Sequence, residues 1–521
     1  MTRRSFWRRR LSPNVWPNVW PNLALAPLTL ALGACITLGP NYHVPQEAVV
    51  NSPLAQGPID GADRAPVSQL GVPANWWQLY DDPTLNELVQ EALKSNTDLR
   101  VAAANLARSR AAVDIANAQG GFSGAAHATA ERAQVSGEQY LLFEKVPVAT
   151  LGDLGVNISY EFDLFGKLRR GVEAARADDA AVEAAADLAR ITVVANVAQA
   201  YVESCSAAEE LEIAQESLKL QNERVALTKR LRDAGRGNQP DVTRGQTQAN
   251  TIAADIPRFE GRRRVAQYQL AMLLARAPKD LPPAALACKR LPRLKQPIPV
   301  GDGAALLKRR PDVREAERQL AASTARIGVA IAEMYPDVTF GAGVGTIGLT
   351  SDLFTPATNA WSFGPLISWT FPVNGQRDRV RAAEAATGGA LAHFDGVVLN
   401  ALRETQSSLA TYAADDQRAD ALRTAYTSAQ QSADETHRLY AAGREPFLSD
   451  LDATRTLTSV HAQVAAAEGE VALDQVRLFL ALGGGWEGNQ QTLQQQGAQG
   501  TQPASATSAA PAATAATAPA N

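Results

Sequence analysis

Residues 154–167 read LGVNISYEFDLFGK, and two periodicities meet inside them. Leu154, Val156, Ile158, Tyr160, Phe162 and Leu164 alternate with Gly155, Asn157, Ser159, Glu161 and Asp163. A period of two places one apolar and one polar face on a strand. The length suits a strand that crosses a membrane. From Lys167 the pattern becomes helical, and no proline interrupts it through Ala234. Ile191, Val194, Ala198, Tyr201, Cys205, Ala208 and Leu211 recur at helical steps, as a stripe for packing against other helices does. At ~1.5 Å per residue such a helix is a rod of roughly 100 Å.

The same arrangement occurs again. Trp361, Phe363, Ile367, Trp369 and Phe371 alternate with Ser362, Gly364, Ser368 and Thr370, and a second rod follows over 377–442. Two more strand candidates lie upstream, one at Val338, Phe340, Ala342 and Val344 and a weaker one over 122–130. A rod alone also fits a cytosolic coiled coil, and a strand alone fits a soluble sheet. Their repeated succession points to one elongated unit built twice.

Outward from these segments the chain keeps the same order in each half. Asp82-Pro83 is a helix start, and one helix is predicted from Pro83 to Gln119. The first rod ends at Gly235-Arg236-Gly237-Asn238, and a return helix runs from Asp241 to Arg276, with a kink expected at Pro257. Residues 278–310 are Pro-rich and join the halves. The second rod ends at Gly443-Arg444-Glu445-Pro446, and its return helix runs to Leu482. The domain boundaries read 1–34 signal, 35–82 linker or collar segment, 83–290 first repeat, 291–485 second repeat, and 486–521 a disordered Gln/Ala/Thr/Pro-rich tail. Trp76 and Trp77 read as packing anchors.

The N-terminus carries Arg3, Arg4, Arg8, Arg9 and Arg10, then the short apolar run Leu23 to Leu32, too short to span as a mature helix. It ends Leu32-Gly33-Ala34-Cys35, the small-small-Cys junction at which bacterial lipoproteins are cleaved and acylated. Ile36 follows, where an Asp would favour retention at the inner membrane. A net charge of −4 shows no basic excess for nucleic acid. Cys205 reads as a small core residue of the stripe and Cys288 lies in the connector. The two could pair in an oxidising compartment, but sequence supplies no distance, and the core reading is preferred. His43, His127, His393, His437 and His461 lack ligand spacing, so no metal site is expected. No nucleophile elbow, P-loop or zinc-protease motif occurs, so no enzyme is expected. No cofactor is implied beyond the covalent lipid on Cys35.

The motifs Leu32-Gly33-Ala34-Cys35, Gly39-Pro40-Asn41-Tyr42, Trp76-Trp77 with Asp81-Asp82-Pro83, residues 160–170 (YEFDLFGKLRR) and Arg310-Pro311-Asp312-Val313-Arg314 occur in this order. Together they resemble the outer-membrane efflux factors, in the lipoprotein branch of OprM- and NodT-like relatives of TolC. The resemblance covers roughly residues 35–485 and is silent on the tail. It implies a mainly helical protein with a transmembrane β-barrel. Each chain of a homotrimer would give four strands to one twelve-stranded barrel and its helices to a periplasmic tunnel. Physics asks for something similar, since four strands leave open edges that lipid does not tolerate. Two chains would give eight strands, a barrel filled by side chains, and three give a wider passage.

By the same resemblance the protein is a passive outer-membrane conduit for drugs or other small toxic molecules. Its implied partners are a periplasmic adaptor, an inner-membrane pump of the resistance-nodulation-division type and outer-membrane lipid. The alternatives are a surface-anchored structural or adhesive trimeric rod and a type I secretion conduit. The implied periplasmic gate falls on Leu448, Asp452 and Arg455, which share one helix face. Asp241 and Arg244 form the second candidate pair, and Gly235, Arg236, Gly443 and Arg444 mark the turns that would meet the adaptor.

Overall fold

The computed structural model describes residues 36–62, 65–138, 141 and 143–484. In chain order its main elements are β1 (Val67–Ser68), α1 (Pro83–Ser95), α2 (Thr97–Gln119), β2 (Phe122–Ala133), β3 (Ala149–Phe162), α3 (Lys167–Asp233) and α4 (Gln239–Leu273). Then follow β4 (Ile298–Pro299), α5 (Gly303–Arg309), α6 (Pro311–Ala332), β5 (Asp337–Leu349), β6 (Asn359–Ser368), α7 (Asn374–Ala441) and α8 (Phe447–Ala481). The repeat is therefore real: helix pair, two strands, a long helix and a return helix, twice. Among the described residues no helix is long and apolar enough to cross a membrane. The chain divides into two compact units, and each repeat contributes to both.

The described residues of the first unit lie within 36–52, 102–186 and 312–399. Its centre is an antiparallel sheet in the order β2-β3-β5-β6. The register sets Val156 opposite Ala126 and Val344, and Val344 opposite Trp361. One face thus collects Val156, Ile158, Val344, Trp361, Phe363 and Ile367, all exposed to solvent, with Trp361 at 72 % and Phe363 at 69 %. Asp153, Asn157, Ser159, Gly343 and Ser362 stand on the other face. Strand β6 ends at Ser368, short of the expected Trp369 and Phe371. Trp369 instead donates from Nε1 to Met334 O at 3.1 Å and meets Phe371 edge to face.

The motif after β3 has a packing reason. Asp163 accepts from Leu168 N and Arg169 N and so caps α3. Gly166 takes φ +81 and admits Thr37, whose Cα would stand 2.8 Å from any added Cβ. Lys167 bridges Glu161 on β3 at 3.3 Å and Asp337 on β5 at 3.1 Å. Arg170, 2 % exposed, donates to Leu38 O, Gly39 O and Asn41 Oδ1 and pairs with Glu173 at 2.6 Å. The buried guanidinium needs those acceptors. Leu38, Gly39 and Asn41 supply them, and Tyr42 goes on to Glu317 at 3.1 Å.

The described residues of the second unit lie within 53–101, 187–311 and 400–484. Its core joins Trp76, Trp77, Leu85, Val194, Tyr201, Leu270, Val476 and Phe479. Trp76 stacks on Phe479 at 4.6 Å between centroids, so the tryptophans are packing anchors. Asp82 caps α1 at Leu85 N and also accepts from Tyr201 OH. β1 and β4 form a parallel two-stranded ribbon.

Two expectations change here. The helix predicted over 83–119 breaks at Asn96, which takes ψ 136. Its Oδ1 accepts from Asp98 N and Leu99 N, and its Nδ2 donates to Leu273 O at the end of α4. One Asn thus starts α2 and satisfies an orphan carbonyl of another helix. Pro257 lies inside α4, which continues through it to Leu273 as the return helix was expected to do. Cys205 is not a free core cysteine: it is bonded to Cys288 across a sequence separation of 83.

Candidate functional site

The hairpin ends of the second unit gather the residues singled out by sequence. Both turns use one backbone solution. Gly235 and Gly443 each take φ +73, and Arg236 N and Arg444 N reach back to Leu231 O and Leu439 O. These are left-handed glycine ends of long helices, satisfying carbonyls that have no partner in the helix. Gly235, Arg236, Gly443 and Arg444 are all exposed. Asn238 then caps α4 at Asp241 N, whereas Pro446 precedes α8 with no side-chain cap.

Asp241 and Arg244 pair at 3.3 Å in the first turn of α4. Leu448, Asp452 and Arg455 lie on α8 and are exposed. Among the described residues neither Asp452 nor Arg455 has an ion-pair partner, and they do not bridge each other. Both line an open groove of about 800 Å³ with Glu210, Ser217, Gln248 and Arg258 from α3 and α4. Leu448 is not part of that groove's wall.

Sequence reasoning missed the carboxylate beside them. Asp450, 2 % exposed, faces inward and accepts from His437 Nδ1 of α7 at 3.1 Å. Arg224 of α3 lies 3.5 Å away and also reaches Thr454 of α8. Burial pushes the Tyr440 phenol up, and the carboxylates of Asp450 and Asp241 push it further. One carboxylate therefore ties three helices next to the two candidate pairs. Nothing local distinguishes Asp450 from Asp452, because its partners are 13 and 226 residues away.

Further along α3, Arg262 of α4 clamps Glu203 at 2.8 Å and Glu210 at 2.9 Å. Burial raises the Glu210 carboxyl even so, while Arg262 and Ser206 hold it down. Burial lowers His461, whose ring lies 4.7 Å from Tyr426. The arrangement holds helices in register and presents polar groups to the open groove. Among the described residues no cluster fit for a metal ion occurs.

A sheet with one bare apolar face and two open edges, joined to long helical hairpins, defines the protomer of an outer-membrane channel. Residues 88–276 and 304–484 match the profile of the outer membrane efflux protein family. Nodulation protein T of Rhizobium leguminosarum bv. viciae is 28% identical over 89% of this chain and 93% of its own. The toluene efflux pump outer membrane protein TtgC of Pseudomonas putida is 30% identical over 90% of this chain and 97% of its own. The solved outer-membrane channel OprN superposes with a TM-score of 0.79 at 34% identity, over 86% of this chain and 99% of its own. The open-state MtrE channel of Neisseria gonorrhoeae gives 0.73 at 27%, over 86% and 98%.

The chain belongs to the outer membrane efflux protein family. It is an efflux channel of the outer membrane with a periplasmic helical extension. Members of the family are passive channels.

Proposed function

We propose that three copies of the chain close one barrel and form a passive conduit, fed by an inner-membrane pump through a periplasmic adaptor. The observation that carries this reading is the four-stranded sheet, whose apolar face is exposed and whose edge strands β2 and β6 are each paired on one side only. Lipid does not tolerate such edges, and three copies give an even, closed set of twelve. The polar face then lines water. Cys35 carries the covalent lipid in this reading. It lies outside the described residues, as do the signal before it and the tail over 486–521.

The relatives are named for toluene, antibiotic and cation efflux, so small toxic molecules are the substrate class. The exposed turns at Gly235 and Arg236 and at Gly443 and Arg444 would meet the adaptor. The gate is assigned to Leu448, Asp452 and Arg455, supported by their exposure on α8, which leaves them free for a neighbouring subunit. Threefold symmetry would turn Leu448 into a dewetting ring and Asp452 into an acidic ring that Arg455 neutralises. Asp241 and Arg244 form the secondary pair.

Planar-bilayer conductance tests this. The variant L448A/D452A/R455A is expected to conduct more than the parent while remaining trimeric. A trimeric variant that conducts like the parent would move the constriction to Asp241 and Arg244. A trimer with no conductance in either form, and a deletion strain with unchanged drug tolerance, would favour the structural rod.

A further inference from the structure

The Cys205–Cys288 bond closes a loop that contains the C-terminal part of α3, the Gly235 turn and all of α4, and ties it to the connector between the repeats. The Cα atoms stand 5.2 Å apart, within the span a bridge requires. Cys205 is completely buried in the core, beside Tyr201 and Val202. Cys288 is half-buried in the connector, which is also held by Leu281, Ala285, Leu291, Ile298 and Val300 in the core, by the bond from Leu291 N to Glu209 Oε2, and by the pairs Arg293–Glu468 and Lys295–Asp81. The chain has three cysteines. With Cys35 committed to lipid, the remaining two are these.

We propose that this channel is a substrate of periplasmic thiol oxidation, and that a dithiol–disulfide oxidant installs the bond by entering at Cys288, with buried Cys205 as the resolving thiol. The periplasm is an oxidising compartment in which such bonds form and persist. The Cys288 thiolate attacks the oxidant's disulfide, giving a mixed disulfide and releasing one thiolate on the oxidant. The Cys205 thiolate then attacks the Cys288 sulfur. The Cys205–Cys288 bond forms, and the oxidant leaves as a dithiol carrying the two electrons. Exchange needs an approach to the sulfur, and in the packed core Cys205 offers none. The oxidant is therefore met at Cys288, and in the finished bond the Cys205 sulfur stays shielded from thiols. It serves as the covalent base of the first helical hairpin.

The proposal rests on the outer-membrane reading, and only its cysteine count rests on acylation of Cys35. Full-length mature protein is purified from hosts with and without the periplasmic dithiol oxidase, denatured, and treated with a maleimide before or after reduction, with the labelled peptides mapped. From the normal host, the peptides of Cys205 and Cys288 should label only after reduction. In the oxidase-deficient host both should label without it, and the amount of trimer should fall several-fold. The C205A/C288A variant should reach the same level in both hosts. Free Cys205 and Cys288 in folded trimer from the normal host would overturn the bond. A bond formed equally well without the oxidase would overturn the role of the oxidant. Labelling of Cys35 is read on its own peptide, so a failure of the lipid reading stays separate.

Discussion

The two return helices make an internal experiment. α4 and α8 are each 35 residues long and correspond at a constant offset of 208, from Gly235 and Gly443 through Leu273 and Ala481. Their backbones solve the same problem in the same way, yet their interiors differ. Val242 is buried where the second repeat buries Asp450, and Ala266 where it buries Asp474. The first hairpin is apolar at these points and closed at its base by a disulfide. The second has no cysteine and spends its buried positions on carboxylates. Hydrophobic burial is tolerant of small shifts, while a buried charge requires its partners in place. Duplication preserved the geometry, and at these two positions the buried carboxylate was placed in one copy.

The clasp at the other end shows the same split. Asn96 and Arg310 hold corresponding breaks before α2 and α6. Each donates to the end of a return helix, Asn96 to Leu273 O and Arg310 to Ala481 O, both at 2.8 Å. Arg310 adds an ion pair with Glu404 at 2.8 Å. Again the second copy carries the charge.

The harshest way to break the comparison is to give the first copy the second copy's charge. Val242→Asp buries a carboxylate among side chains not arranged to receive it. It should cost about 5 kcal/mol, read by denaturant unfolding of the detergent-solubilised protein. Removing the bond as C205A/C288A should cost up to about 4 kcal/mol, from the loop entropy restored to the unfolded chain. Protease cleavage should then appear first in the connector, and uniform cleavage of both hairpins would contradict the asymmetry. Arg310→Ala should lose about 3 kcal/mol and Asn96→Ala about 2 kcal/mol, because a charged donor leaves both Glu404 and a buried carbonyl behind. Equal losses at the two positions would mean that Glu404 contributes nothing.

The smallest effect lies in pH. Burial pushes the Asp474 carboxyl up from 3.8 to about 6, with Asp415 adding to the push and Arg477 opposing it. The folded state therefore holds this proton more tightly than the unfolded chain does. The contribution is fully present below the unfolded value and is lost as pH rises through about 6. Asp474→Asn should flatten the melting-temperature profile between these values and stabilise the protein at higher pH. The first copy, with Ala266, has no such group at the matching position.

Periodicity alone located the strands, the rods and the return helices, because membrane strands and long helices write their faces into nearest-neighbour spacing. Gly235 and Gly443 were legible for the same local reason, and so was the Asp241–Arg244 pair, three residues apart on one helix. The break at Asn96 was not, since its side chain is held by a carbonyl 177 residues away. Asp450 was not, because Asp450 and Asp452 differ only in what the fold brings to them. The same holds for Cys205, which fits a small-residue stripe until the connector is placed beside it. Sequence thus determined the elements, their duplication and the apolar face that belongs in a membrane. The tertiary structure decided which of the polar residues are buried and which are paired, because burial and pairing depend on distances between segments that no local pattern encodes.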